Sequence, residues 1–126
     1  MIDAKVQEYL YYILNKLPYD VYDTVPKDAK CPYIQIGVSY GDDNSTKTGF
    51  AYNDYQTIDI FSSYKGKKEV RGIMQQVNNL LQNKELMFDD MQVSLYLDTN
   101  RIIEQNDTEG KYYHGILIYK INTQIK

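Results

Sequence analysis

The chain has 126 residues, 43% hydrophobic and 25% charged, which is the size and balance of one folded domain with one core, so we expect a single domain spanning 1–126. Its net charge of −3 argues against a nucleic-acid-binding protein, because a phosphate backbone would be repelled. The sequence has neither the ~20 apolar residues of a membrane helix nor a secretory leader, and we expect a cytoplasmic protein without a membrane partner.

The first predicted element is an amphipathic helix near the start of the chain. Its apolar residues recur at helical spacing and form one stripe: Val6, Tyr9, Leu10, Ile13, Leu14 and Leu17. Asp3 is a suitable N-cap, and Pro18 is expected to end the helix after about four turns. Residues 19–26 are bounded by proline and predict a short edge strand or an extended connector.

Two segments with alternating apolar residues predict the first two long strands. The first runs from Tyr33 to Tyr40, and its inward residues are predicted to be Ile34, Ile36, Val38 and Tyr40. The second runs from Tyr55 to Ser63. Ile58 and Ile60 are predicted on one face, and the opposite face is predicted to carry Thr57, Asp59 and Phe61.

The segment between these strands, Gly41 to Asp54, predicts a loop. It is longer than the roughly two to five residues that a hairpin connection needs, and long loops in compact domains are often functional. It also holds aromatic residues in a polar stretch, where they are a liability unless a partner covers them. We therefore take four residues in and beside it as candidate interface residues: Lys47, Phe50, Tyr52 and Tyr55. The alternative is that the rings of Phe50 and Tyr52 fold back onto the sheet.

A second amphipathic helix and a closing hairpin complete the predicted order. The helix is indicated by Val70, Ile73, Met74, Val77, Leu80 and Leu81 and is expected to end near Asn83. A strand from Gln92 to Leu97 follows, and after a bulge at 98–100 it continues from Arg101 to Gln105. A turn at 106–110 leads to a return strand from Tyr112 to Ile125. The sequence therefore predicts an α+β fold in the order α-β-β-α-β-β, with two helices packed on one mainly antiparallel sheet.

No motif in the chain indicates catalysis, a cofactor or a metal. Cysteine and histidine each occur once, at Cys31 and His114, so neither an internal disulfide nor a Cys/His metal cluster is available. We expect Cys31 to be a small buried hydrophobic residue and neither residue to be chemically essential. Phosphate-binding and nucleophile-elbow patterns are missing. We expect a non-enzymatic protein, with a small hydrolase as a remaining alternative.

Three stretches are informative in their order and spacing. The first is Val25–Gly37, in which a short polar link leads to Pro32-Tyr33 at the opening of a strand. The second is Gln56–Ser62, followed by a glycine and by a Glu-Val pair that enters a helix. The third is the closing hairpin, with Asp107 and Gly110 at its turn. Together they resemble the tail-completion, or tail-terminator, family of phages with long non-contractile tails. Phe61 and Cys31 replace bulkier residues common in that family, and both keep an apolar character.

The resemblance implies a structural role in a virion. Such subunits form a ring, typically a hexamer, on the head-proximal end of the tail tube, stop tube growth and present a surface to the head. The implied partners are other copies of the chain, the tail tube protein and a head-completion or connector protein, with DNA passing through the ring without specific binding. Assembly would take place in the host cytoplasm. The Gly41–Asp54 loop would then order against a neighbouring subunit or the tube.

Two other functions remain open. A head-closure or neck connector protein is of the same class and differs in its partner. A non-viral small binding module is of a different class. The excess of lysine over arginine is typical of AT-rich coding and indicates a low-GC bacterium or its phage as the source.

Overall fold

The computed structural model of the protein describes residues 2–41 and 51–126. The elements follow one another as α1 (Ala4–Leu14), β1 (Asp20–Tyr22), β2 (Tyr33–Gly41), β3 (Ala51–Ser62), α2 (Lys68–Leu81), β4 (Lys84–Met87), β5 (Met91–Asp107) and β6 (Gly110–Ile125). Two helices on a mainly antiparallel sheet confirm the predicted α+β class and the order of the long elements. The short strand β1 is one of the two forms predicted for its segment, whereas β4 was not predicted.

Local chemistry sets the two ends of α1. The Asp3 side chain accepts a hydrogen bond of 2.8 Å from the backbone N–H of Lys5, which confirms the predicted N-cap. The helix ends at Leu14, earlier than the predicted stop at Pro18. Its last turn is closed by Asn15, whose side-chain amide donates to the carbonyl of Tyr11 over 2.8 Å. Asn15 therefore ends the helix before the proline can.

The six strands form one sheet in the order β1-β2-β3-β6-β5-β4, in which only the β1–β2 pair is parallel. Helix α2 lies directly on β6, because a side chain at Gly115 would meet Met74 and Val70 of that helix. The Tyr119 hydroxyl of β6 also donates to Asn78 of α2 over 2.8 Å. One hydrophobic core joins α1, α2 and this face of the sheet, and its fully buried members include Val6, Leu10, Ile34, Ile58, Ile60, Val77, Val93, Leu95 and Ile121.

The predicted inward positions of Val38 and Tyr40 are wrong, because their side chains are 70% and 44% exposed. The register between β2 and β3 shifts between Ile36 and Ser39, and an extra residue at such a bulge breaks the alternation of the strand. The side-chain amide of Gln56, which is buried, donates to the Gly37 carbonyl over 3.0 Å and satisfies the interrupted ladder. The predicted bulge in β5 is confirmed by a register shift between Leu97 and Thr99.

The predicted loop from Gly41 to Asp54 is also corrected. Gly41 pairs with Asp54 across the β2–β3 ladder, and β3 already begins at Ala51, which pairs with Gln124 of β6. The last part of the expected loop is therefore strand. Of the helices in the described part of the chain, neither combines the length and apolar character that a membrane span requires.

Candidate assembly interface

The sheet face opposite the helices carries a row of stacked rings. Tyr33, Phe61 and His114 lie directly opposite one another on β2, β3 and β6, and Ile103 of β5 continues the row. The ring centroids of Tyr33 and Phe61 are 5.0 Å apart, and those of Phe61 and His114 are 4.3 Å apart. We call these four residues the aromatic row. It crosses four strands on a face where, within residues 2–41 and 51–126, no helix is packed.

The aromatic row is supported by a hydrogen bond between His114 and Asp59, which lies two residues before Phe61 on β3. His114 Nε2 donates to Asp59 Oδ1 over 2.7 Å, and the two side chains are 18% and 13% exposed. The other Asp59 oxygen fills the space that a side chain at Gly37 would need. Ile116, the neighbour of Asp59 on β6, is buried although it lies outside the main core. His114 is therefore held by a carboxylate on the adjacent strand.

A second row crosses the same face toward the other end of the sheet. Tyr40, Tyr55, Lys120 and Tyr96 lie opposite one another on β2, β3, β6 and β5. The rings of Tyr40 and Tyr55 stack with centroids 5.2 Å apart. Tyr40 and Tyr96 are 44% and 43% exposed. We call these four residues the tyrosine row. It places large aromatic surface in solvent, which suits a contact surface because a tyrosine ring loses little conformational entropy when it is held.

The structure separates the sequence-predicted interface residues. Tyr55 belongs to the tyrosine row, whereas Tyr52 pairs with the buried Thr123 on the helix side of the sheet. The two lie three positions apart on one strand, so their side chains point to opposite faces. Lys47 and Phe50 lie outside the described residues. Tyr40 and Tyr96 were not predicted as members of the tyrosine row. Their positions in it depend on the register of four strands and on the bulge in β2.

Cys31 lies at one end of the aromatic row, just before β2. It is half-buried rather than fully buried and lines a surface pocket of about 510 Å³ with Tyr33, Phe61 and Ser63. Burial raises the pKa of the Cys31 thiol, which keeps it protonated at neutral pH. His114 is not among the residues that line this pocket. In the described part of the chain, His, Cys, Asp and Glu form no group of three or more placed to hold a metal ion.

Comparison with known proteins assigns the chain to a family. A family model described as "Tail completion protein gp17" matches residues 10–124. No curated protein sequence matches the chain. Among solved structures, a chain of the "Virion of native gene transfer agent (GTA) particle" superposes with a TM-score of 0.74 at 17% identity, over 91% of each chain. At this identity the likeness to that structure shows a shared fold.

Proposed function

The chain belongs to the tail completion protein gp17 family, and from this membership we propose that it forms a ring, a hexamer in its finished state, that caps the head-proximal end of a phage tail tube. Membership of this family makes the protein a structural component of a phage tail and not an enzyme. The ring would end polymerisation of the tube protein and offer its free side to a head-completion or connector protein. The observation that carries the proposal is the family match over 10–124.

The helix-free face supports this proposal. An antiparallel sheet with one face in water normally alternates apolar and polar residues, with the polar ones outward. Here the outward rows contain Tyr33, Phe61, Ile103, Tyr40 and Tyr96. An aromatic surface of this kind in a monomer is typical of a binding site. We assign the tyrosine row, which is the more exposed of the two, to contacts made during tail assembly.

A closed ring needs two different contact surfaces on each subunit, because head-to-tail contacts join unlike patches. The sheet offers two unlike edges, since it ends at β1 beside β2 on one side and at β4 beside β5 on the other. The net charge of −3 suits a ring through which DNA passes without being held.

The proposal is tested by the growth of tubes from purified tube protein of the same phage. Addition of the protein is expected to shorten the tubes and to stop their elongation, and electron microscopy measures the length distribution. The double variant Tyr40→Ser/Tyr96→Ser is expected to lose this effect while remaining folded. Tyr64→Ser is the matched control, because Tyr64 is comparably exposed in the β3–α2 connection. Tubes whose lengths do not respond to the unchanged protein at any ratio would contradict the proposal.

A further inference from the structure

Each edge of the sheet is covered along only part of its length. Strand β1 pairs with β2 at Tyr33–Gln35, and strand β4 pairs with β5 at Gln92–Leu95. The Gln82 side chain accepts a hydrogen bond of 2.7 Å from the backbone N–H of Leu97, just before β4 begins. Beyond these points, within the described residues, no strand pairs with the outer side of β2 over Ile36–Gly41 or of β5 over Thr99–Asp107. We call these two segments the open edges.

The open edges lie diagonally across the sheet. Strand β1 covers β2 at the end that holds the aromatic row, since Tyr33 belongs to both. Strand β4 covers β5 at the other end, beside the tyrosine row, since Tyr96 directly follows the last β5 residue paired with β4. The open edge of β5 therefore flanks the aromatic row, and the open edge of β2 flanks the tyrosine row.

The open edge of β2 contains the bulge between Ile36 and Ser39, but no charged residue or proline that would oppose pairing with another chain. Exposed edges of monomeric sheets carry charged residues, above all lysine, or proline. The segment Ile36–Gly41 contains neither, and Val38 within it is 70% exposed. The open edge of β5 carries Arg101, Glu104 and Asp107, whereas Ile36–Gly41 of β2 carries no charged residue. An uncharged edge can therefore approach it without repulsion between like charges.

The strand directions fix how two copies would join. Three successive antiparallel pairings, β2–β3, β3–β6 and β6–β5, separate the open edges, so β2 and β5 run in opposite directions. A second copy that continues the sheet with its helices on the same side keeps these directions. Its β2 then lies antiparallel to the β5 of the first copy, in the ladder that is slightly more stable per residue.

From this geometry we infer that the open edge of β2 in one copy pairs antiparallel with the open edge of β5 in the next copy, so that one sheet runs from subunit to subunit. The inference rests on the proposed ring and names its subunit contact. Strands β1 and β4 block an unstaggered pairing and force neighbouring copies to shift along the strand direction. A closed sheet requires such a stagger together with tilted strands. The contact is head-to-tail and closes by rotation.

Disulfide scanning on capped tubes tests the contact. In a Cys31→Ala background, which removes the one native thiol, Ser39→Cys, which lies outside the tyrosine row, is combined with a second cysteine placed in turn at Thr99, Asn100, Arg101, Ile102 and Ile103. Ser39 lies on the helix side of the sheet, because it pairs with Gln56, which pairs with Tyr119. Asn100 and Ile102 lie on the same side, whereas Thr99, Arg101 and Ile103 lie on the helix-free face. Mild oxidation is expected to give covalent multimers at Asn100 or Ile102 and none above background at Thr99, Arg101 and Ile103. This period of two is the signature of strand pairing.

Hydrogen exchange of the unsubstituted protein gives a second measurement that needs no variant. Peptides that cover 36–41 and 99–107 are expected to exchange more slowly in capped tubes than in the free subunit. Capped tubes with neither slower exchange in these segments nor the period of two would overturn the inference and leave the proposed function standing. Tubes that are never capped by the unchanged protein would instead overturn the proposed function.

Discussion

His114 and Asp59 form a hydrogen-bonded pair across β6 and β3, with Nε2 and Oδ1 2.7 Å apart. The imidazole also stacks on Phe61 with ring centroids 4.3 Å apart. The only histidine of the chain thus links the aromatic row to the acidic residue beside it. Because the pair is mostly buried on a face without helices, we interpret it as a structural contact that holds β3, β6 and the aromatic row in register.

Substitution of His114 separates structural and chemical roles. His114→Ala leaves the largely buried Asp59 carboxylate without its donor and is expected to cost about 1–3 kcal/mol of unfolding free energy. His114→Gln keeps a side-chain donor and is expected to cost less. Urea unfolding measures both, and tube capping by the folded Gln variant should be unchanged. A folded His114→Gln protein that cannot cap tubes would show that the imidazole has a chemical role.

Substitution by alanine is expected to change the free energy of unfolding in opposite directions at two glycines. At Gly115 a Cβ would lie 2.8 Å from Val70 Cγ2 and 2.7 Å from Met74 Sδ. The methionine can move, whereas the β-branched valine has little rotamer freedom, so Gly115→Ala is expected to destabilise the protein by about 1–3 kcal/mol. At Gly72, inside α2, an added Cβ would meet no atom of another element within 4 Å. Gly72→Ala should therefore stabilise the protein by roughly 0.5–1 kcal/mol. Thermal unfolding compares the two, and equal shifts would contradict the packing of α2 on β6.

The stability of the protein is expected to fall in alkaline solution because of Tyr119. Burial raises the pKa of its hydroxyl above the ordinary value near 10. The folded state therefore holds the proton more tightly than the unfolded state. The contribution of Tyr119 to the free energy of unfolding is fully present below about pH 10 and decreases above it. Urea unfolding between about pH 9 and 11 measures the slope. Tyr119→Phe removes the titrating group, so its unfolding free energy should decrease less steeply with pH. This variant also loses the hydrogen bond to Asn78.

The Cys31 thiol is expected to react slowly with alkylating reagents. Its pKa is raised, chiefly by burial, so the thiolate fraction at pH 7–8 is lower than in an unfolded chain. Iodoacetamide labelling, followed by mass spectrometry in native and denatured protein, measures the ratio of rates. Cys31→Ala should cap tubes normally with at most a modest loss of stability. Faster labelling in the native than in the denatured protein would contradict this environment for the thiol.

The long elements were predictable because their apolar periodicity depends on local sequence. The stripe of α2 from Val70 to Leu81 and the inward pair Ile58 and Ile60 are positioned as predicted. The strand β4 was missed because it is short and is defined by its pairing with β5. The outward position of Val38 was missed because the bulge beside it depends on the buried Gln56 side chain, which comes from another strand.

The interface was harder to predict than the fold. Tyr55 was selected because it is an aromatic residue near a polar segment, and its neighbours Tyr40 and Tyr96 come from strands that meet it only in the folded sheet. A surface assembled from separate strands has no contiguous sequence pattern. The long elements and their order, the N-cap at Asp3, the bulge in β5 and the family resemblance were accessible from the sequence.

Electron microscopy of tubes assembled with labelled protein shows where the protein binds. We expect a single hexameric ring at one end of each tube, the end that joins the head, with the label confined to that ring. A label spread along the tube, present at both ends, or missing from tubes at every protein ratio would contradict this expectation.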